Sequence, residues 1–174
     1  MSAGSVRRWG WHRLQPEWAE RVVSAARVRP GELVLDLGAG TGALTWQLAQ
    51  AGARVLAVEL HPGRVVALRR RFADQPRVRI ISGDLVAFRL PARPFRVVAN
   101  PPYAVRAQLQ RRLLAHPSRM YAADLVLPRA YVHRVLAQGT GRPGWQATGG
   151  LRLPRSAFQP PPPVDSAVLQ LRRR

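Results

Sequence analysis

Apolar positions along this chain fall into two alternating rhythms. Short continuous aliphatic runs, the length of buried strands, alternate with segments whose apolar residues recur every three or four positions, the repeat of an amphipathic helix. Pro16 to Arg27 carries Trp18, Val22, Val23 and Ala26 at helical spacing, with Pro16 in the first turn, where an N–H would go unpaired anyway. "LVLDLG", residues 33–38, predicts a buried strand, and "ALTWQLAQAG" a helix closed by Gly52. "RVLAVEL" predicts the next strand, Pro62 to Ala73 the next helix, and "VRIISGD" a third strand. The order β-α-β-α-β with apolar strands predicts an α/β fold, a parallel sheet with helices on both faces and ligands at the carboxyl ends of the strands.

A fourth strand, "FRVVAN", ends abruptly. Val97 and Val98 suit a sheet, but neither Pro101 nor Pro102 can donate a ladder hydrogen bond, so the strand stops at Asn100. That stop fixes the direction of the Asn100 side chain and frees the Pro101 carbonyl. Two acceptors beside the Tyr103 ring make a shape suited to a planar amino group. A helix from Ala104 to Ala115 and a strand in "AADLVLP" follow. Gln138 to Gly150 reads as a Gly-rich loop, "FQPPPPVD" as a rigid, extended connector outside the core, and "SAVLQLRRR" as a last strand with a basic tail.

Composition adds a partner class. At 174 residues there is room for one domain with a real core, divided here into a basic arm over residues 1–15 and a folded unit over 16–174. The 28 basic residues are all arginine and face 9 acids, a formal net charge of +19. GC-rich coding would give the same arginine excess, but a polyanion is the natural partner of such a surface, because the guanidinium fork grips phosphate and stacks on bases. The absence of cysteine excludes disulfides and thiolate metal sites. His12, His61, His116 and His133 have no ligand spacing, so no metal is expected. With no membrane-length apolar stretch and no apolar signal segment, a cytoplasmic protein without membrane attachment is expected, and nothing demands more than a monomer.

The candidate chemistry sits at the predicted strand ends. Gly38, Gly40 and Gly42, after Asp36, occupy the first β-to-α turn, where glycine lets backbone approach a ligand closely. Their even spacing breaks the dinucleotide fingerprint, and a phosphate-binding loop is excluded because the chain has no lysine. Glu59 closes the second strand and Asp84 the third. A carboxylate after the second strand can accept from both hydroxyls of a ribose, and one after the third from an adenine amino group. Each acid alone reads equally well as a solvated loop acid or a helix cap. Three of nine acids at successive strand ends are harder to attribute to chance.

These residues, with Asn100-Pro101-Pro102-Tyr103, resemble the S-adenosylmethionine-dependent methyltransferases, whose fold is a Rossmann-like, mostly parallel seven-stranded sheet with helices on both faces. "FQPPPPVDSAV", Phe158 to Val168, is similar to the F-x-P-x-P-x-V-D-S pattern of the ribosomal RNA adenine N6-methyltransferases, the Erm and KsgA family, and "DLVLPRAYVHRVL" resembles the segment before it. The likeness covers Trp11 to Arg174 and is closer to the Erm enzymes. It implies a target adenine in 23S rRNA near the macrolide site of the exit tunnel, on free RNA or pre-assembled large-subunit particles, and resistance to macrolides, lincosamides and streptogramin B. S-adenosyl-L-methionine would be the methyl donor and S-adenosyl-L-homocysteine the product.

Carried over, Gly38 and Gly40 would line the methionine part of the cofactor, Glu59 would hold its ribose and Asp84 its adenine, with Asp36, Leu60, Leu85 and Asn100 in the same set. Asn100, Pro101 and Tyr103 would receive the target base, and Phe158 would pack on its other side. The adenine must be flipped or unpaired, since N6 cannot reach a methyl donor from inside a stacked duplex. Arg7, Arg8, Arg106, Arg111, Arg112 and Arg172 are the candidate RNA contacts. Three departures stand out: His12-Arg13-Leu14 replaces the family's Gln-Asn-Phe-type segment, the catalytic motif has two prolines instead of one, and the chain stops where relatives continue into a C-terminal helical RNA-binding domain. A catalytic domain standing alone is therefore expected. The competing readings are a DNA adenine N6-methyltransferase, a glutamine-methylating enzyme, and a non-catalytic RNA-binding domain of the same fold.

Overall fold

The computed structural model describes residues 12–174. Arg13–Leu14 (β1) leads into the helix Pro16–Ala26 (α1), and the strand Leu33–Leu37 (β2) follows. Helix Ala43–Gln50 (α2), strand Arg54–Glu59 (β3), helix Pro62–Arg71 (α3) and strand Val78–Ser82 (β4) complete the predicted alternation. Strand Phe95–Ala99 (β5) stops one residue before Asn100, and Tyr103–Val105 forms a single tight turn ahead of helix Arg106–Leu114 (α4). Strand Met120–Pro128 (β6), helix Arg129–Gln138 (α5) and strands Trp145–Leu153 (β7), Phe158–Gln159 (β8) and Ser166–Arg173 (β9) finish the chain.

Seven strands form one sheet in the order β4-β3-β2-β5-β6-β9-β7. β4, β3, β2, β5 and β6 are parallel, β9 runs antiparallel to them, and β7, antiparallel to β9, points the same way as the other five. This is the fold of S-adenosylmethionine-dependent methyltransferases, as the resemblance implied. One face packs Val22 and Val23 of α1, Leu44 and Leu48 of α2 and Leu68 of α3 against Val34, Val98 and Val126. The other packs Leu109 and Leu113 of α4 and Val132 of α5 against Leu35, Val97 and Leu125. From β2 the chain winds outward through β3 and β4, then returns to β5 on the opposite side of β2. The crevice at the carboxyl ends of β2 and β5 is the switch point where such sheets hold ligands.

Three expectations change. Residues 145–150, read as part of a Gly-rich loop, begin β7, because β9 supplies a template that pairs Trp145 with Arg173 and Gly149 with Leu169. Phe158, read as part of a connector outside the core, is 2% exposed, and Pro162 is buried too. The end of the supposed basic arm belongs to the fold: Arg13 pairs with Gln159 and Leu14 with Phe158, and Leu14 is 2% exposed. The rest of that arm up to residue 11, with Arg7 and Arg8, lies outside the described residues.

At the opposite end of the sheet, Arg96 is buried and joins three elements. It donates to Asp124 of β6 at 3.0 Å, to Glu32 at 3.2 Å and to the Ala26 carbonyl at the end of α1 at 2.8 Å. Arg172 of β9 closes on the second oxygen of Asp124 at 2.8 Å. Asp124, at 1% exposure, is thus compensated by two guanidinium groups.

Candidate active site at the sheet's carboxyl edge

β2 delivers the chain into the turn Gly38–Gly42, in which Gly38, Gly40 and Gly42 all have positive φ, from 60° to 86°. Close contacts at two of these positions add to the reason that glycine stands there. A Cβ on Gly38 would stand 3.2 Å from Pro102 and 3.3 Å from Leu85, and one on Gly42 only 2.7 Å from the Phe72 ring. The turn is pinned from below by Gly38 and Ala39 N–H groups donating to the Val58 carbonyl at 2.9 and 3.0 Å.

Glu59, at the end of β3, is 4% exposed and braces this turn. Oε2 accepts from the Gly40 N–H at 2.8 Å and Oε1 from the His61 N–H at 2.9 Å, while Arg64 stands 3.7 Å away. Each carboxylate oxygen keeps a second lone pair for a ligand hydroxyl. Leu60, beside it, is 44% exposed, a large apolar side chain open at the mouth of the site. Asp84 is exposed, and its Oδ1 caps the next turn by accepting from Val86 N–H at 2.8 Å; Leu85 faces inward and is buried.

Asp36 lies deeper, at 1% exposure, and accepts from Thr45 Oγ1 at 2.7 Å. Burial pushes its carboxyl up to about 7, helped by the nearby Glu59 charge and opposed by the Thr45 hydrogen bond. Thr45 was not singled out in the sequence; its place one turn into α2, three residues after Gly42, is the signal that it faces back toward β2.

After β5, Asn100 donates from Nδ2 to the His12 carbonyl at 2.9 Å. That bond fixes which way the amide is turned and leaves Oδ1 as its acceptor. Pro101 is buried, and the half-buried Tyr103 has its hydroxyl 2.5 Å from Ser166 Oγ at the start of β9. Burial holds the Tyr103 phenol above its ordinary value. The His12 ring lies 5.9 Å from the Tyr103 ring at a tilt of 35°, and its Nδ1 is 2.9 Å from the Pro160 carbonyl. Ser166 and His12 hold Tyr103 and Asn100 in place, and the sequence reading did not single them out as site residues. Ser166 stood inside the matched V-D-S motif, and His12 showed only as a departure from the family pattern.

One small cavity joins these parts: His12, Leu14, Asp36, Gly38, Gly40 and Asn100 all line it. The segment that departs from the family pattern therefore still closes over the glycine turn. Phe158, expected to pack on the target base, does not line this cavity and is buried in the core cluster that holds Leu14 and Val98.

The arginine assignments also change. Arg112 donates to the Val86 and Phe88 carbonyls, Arg106 donates to the Tyr103 carbonyl and sits 5.3 Å over the Tyr131 ring, and Arg172 is bound to Asp124 and the Ala123 carbonyl. These three hold internal loops and strands together. Arg111 remains exposed on α4. Among the described residues no group of three or more His, Cys, Asp or Glu could hold a metal, and no helix is long and apolar enough to cross a membrane.

Comparison with known proteins gives the geometry a context. The ribosomal RNA adenine dimethylase family profile matches residues 14–174. Ribosomal RNA small subunit methyltransferase A of Synechococcus sp. (strain JA-3-3Ab) is 35% identical over 190 residues, covering 97% of this chain and 67% of the relative. A ribosomal RNA small subunit methyltransferase of Arabidopsis thaliana is 33% identical, covering 95% of this chain and 50% of its own. The chain thus spans about half to two thirds of the length of these relatives. Among solved structures, the 23S rRNA methyltransferase ErmE superposes with a TM-score of 0.84 at 26% identity, covering 94% of this chain and 70% of that one. A dimethyladenosine transferase from Plasmodium falciparum gives 0.81 at 23% identity, covering 94% and 64%. With a family match over nearly its whole length, this chain belongs to the ribosomal RNA adenine dimethylase family.

Proposed function

We propose that the chain transfers methyl groups from S-adenosylmethionine to N6 of an adenine in small-subunit ribosomal RNA. The observation that carries this reading is the convergence, at adjacent strand ends, of a glycine turn, a buried carboxylate and Asn100-Pro101-Pro102-Tyr103. The residues fit the cofactor. The turn lines the cavity with Gly38 and Gly40, which present no side chain to it, and Glu59 is held by two N–H groups with lone pairs to spare. Gly38 and Gly40 would take the methionine part, with Asp36 beneath it, Glu59 the ribose hydroxyls and Asp84 the adenine amino group. The exposed Leu60 and the buried Leu85 would flank the adenine ring. When bound, S-adenosylmethionine supplies an electrophilic methyl group on a sulfonium.

The chain's own residues would do the positioning. Asn100 Oδ1 and the Pro101 carbonyl would accept the two N6 hydrogens, drawing a delocalised lone pair toward a nucleophilic geometry, and Tyr103 would stack on the base plane. Positioning of this kind can supply several kcal/mol of a barrier. The Ser166 bond to Tyr103 and the His12 bond to Asn100 hold both groups in place before the base enters. The proton lost from N6 would pass to water.

Small-subunit RNA is favoured because the sequence relatives carry that name at 33–35% identity. The reading that the motifs first suggested, 23S rRNA with macrolide, lincosamide and streptogramin B resistance, stands second and draws on the likeness to ErmE. Labelled methyl transfer to purified small-subunit particles, large-subunit particles and their protein-free RNAs separates the two. Label in the small-subunit RNA supports the first reading, and label confined to 23S rRNA replaces it with the second.

A further inference from the structure

Four arginines outside the catalytic edge lie together. Arg54 opens β3, Arg77 precedes β4, Arg79 lies within β4 and Arg93 precedes β5; all are exposed, and all line one groove with Leu33 and Leu56. Their proximity follows from register. Leu56 pairs with Arg79, and Arg54, two residues before Leu56, projects from the same face of the sheet. The connection from β4 to β5 contains no helix, so nothing helical is laid over this part of the face.

These arginines differ from those elsewhere in the chain. Arg96, Arg106, Arg112 and Arg172 are bound to carbonyls and carboxylates. The ion pairs among the described residues run through Arg64, Arg96 and Arg172. No carboxylate lines the groove. Four like charges gathered without a counter-charge repel one another, and an anion placed among them removes that cost. Guanidinium forks over an apolar floor suit phosphate oxygens bound in pairs.

We propose that this groove binds RNA backbone phosphates at the end of the sheet opposite the catalytic edge. β3 runs from Arg54 in the groove to Glu59 in the site. At roughly 3.3 Å per residue the two lie roughly 17 Å apart along that strand, so RNA held here is gripped well away from the reacting base. The identity of the polyanion rests on the proposed function; the existence of the phosphate site does not.

The test is an anisotropy titration of the full chain with a labelled fragment of small-subunit rRNA over a range of salt concentrations. Three proteins are compared: the native chain, an R54Q/R77Q/R79Q/R93Q variant, and a control of equal charge loss, R21Q/R70Q/R134Q/R152Q, made at exposed positions outside the groove. The groove variant is expected to lose at least tenfold in affinity, and its slope of log affinity against log salt to flatten by up to about 3, since each phosphate contact on a single strand contributes about 0.7. The control should lose clearly less, and S-adenosylmethionine binding should be unchanged in both. Replacing the same four by lysine should restore most of the slope. Should the quadruple variant fail to fold, single replacements decide, each flattening the slope by about 0.7. Equal losses in groove and control variants would overturn the site. RNA binding by the native chain without methyl transfer would count against the proposed function alone, and the groove comparison would still be decisive.

Discussion

In the proposed reaction Asn100 and Tyr103 carry the chemistry, and each is held by one hydrogen bond from a distant part of the chain. Asn100→Ala removes an acceptor needed only while N6 is being methylated, so transfer should fall by about a hundredfold or more, with a much smaller change in cofactor affinity by calorimetry. Ser166→Ala should act through Tyr103. If the hydroxyl pair positions the ring, Ser166→Ala and Tyr103→Phe should each slow turnover, and the double variant should be no slower than either, whereas additive losses would deny the coupling. Asp36 gives a pH signature. Its folded value, about 7, lies above the ordinary carboxyl value of 3.8, so the folded state holds a proton that the unfolded chain releases. Its contribution is complete below about pH 4 and is lost as pH rises through 7, a change on the order of 4 kcal/mol at most. Melting measured from pH 4 to 8 should show this fall in the native chain and a flatter profile in Asp36→Asn.

At the scale of elements, the glycine turn and the β1–β8 pair decide whether the site is closed. Gly42→Ala would press a methyl against the Phe72 ring at a φ of 86°, forcing α2 and α3 apart. Lower melting temperature together with weaker S-adenosylmethionine binding is expected, whereas full binding at reduced stability would show that the turn tolerates the shift. The turn was legible in the sequence because glycine spacing and an apolar strand before it state their own conformation. β7 was not legible: Trp145 to Leu153 contains two adjacent glycines and lacks alternation, and only pairing with β9 makes it a strand. The β1–β8 pair was hidden for a similar reason. Arg13-Leu14 and Phe158-Gln159 are two residues each, too short to show a period, and are defined only by their meeting, Arg13 with Gln159 and Leu14 with Phe158, across most of the chain.

For the molecule as a whole, two different uses of arginine coexist. The sequence shows 28 arginines and a charge of +19 but cannot show which are bound inside. Arg112 and Arg172 looked like RNA contacts because they stand in basic runs, yet loops and strands remote in sequence supply their partners, and Arg106 is bound to the Tyr103 carbonyl in the turn just before it. Arg96 and Asp124, assigned no role from the sequence, fasten α1, β5, β6 and β9 together. Asp124→Ala leaves the buried Arg96 without its nearest carboxylate and should cost about 3–5 kcal/mol in denaturant unfolding, while a loss under 1 kcal/mol would mean that Glu32 and water compensate it. Subunit preference is not read from the site, since the similar proteins are named for the small subunit in one case and for 23S rRNA in the other. The measurement that tests the account most directly is nucleoside mass spectrometry of ribosomal RNA after incubation with the chain and isotopically labelled S-adenosylmethionine. Labelled N6-methylated adenosine, absent when Asn100→Ala replaces the native chain, is the predicted result. Label in any other nucleoside, or adenosine labelled equally by the Asn100→Ala chain, would contradict it.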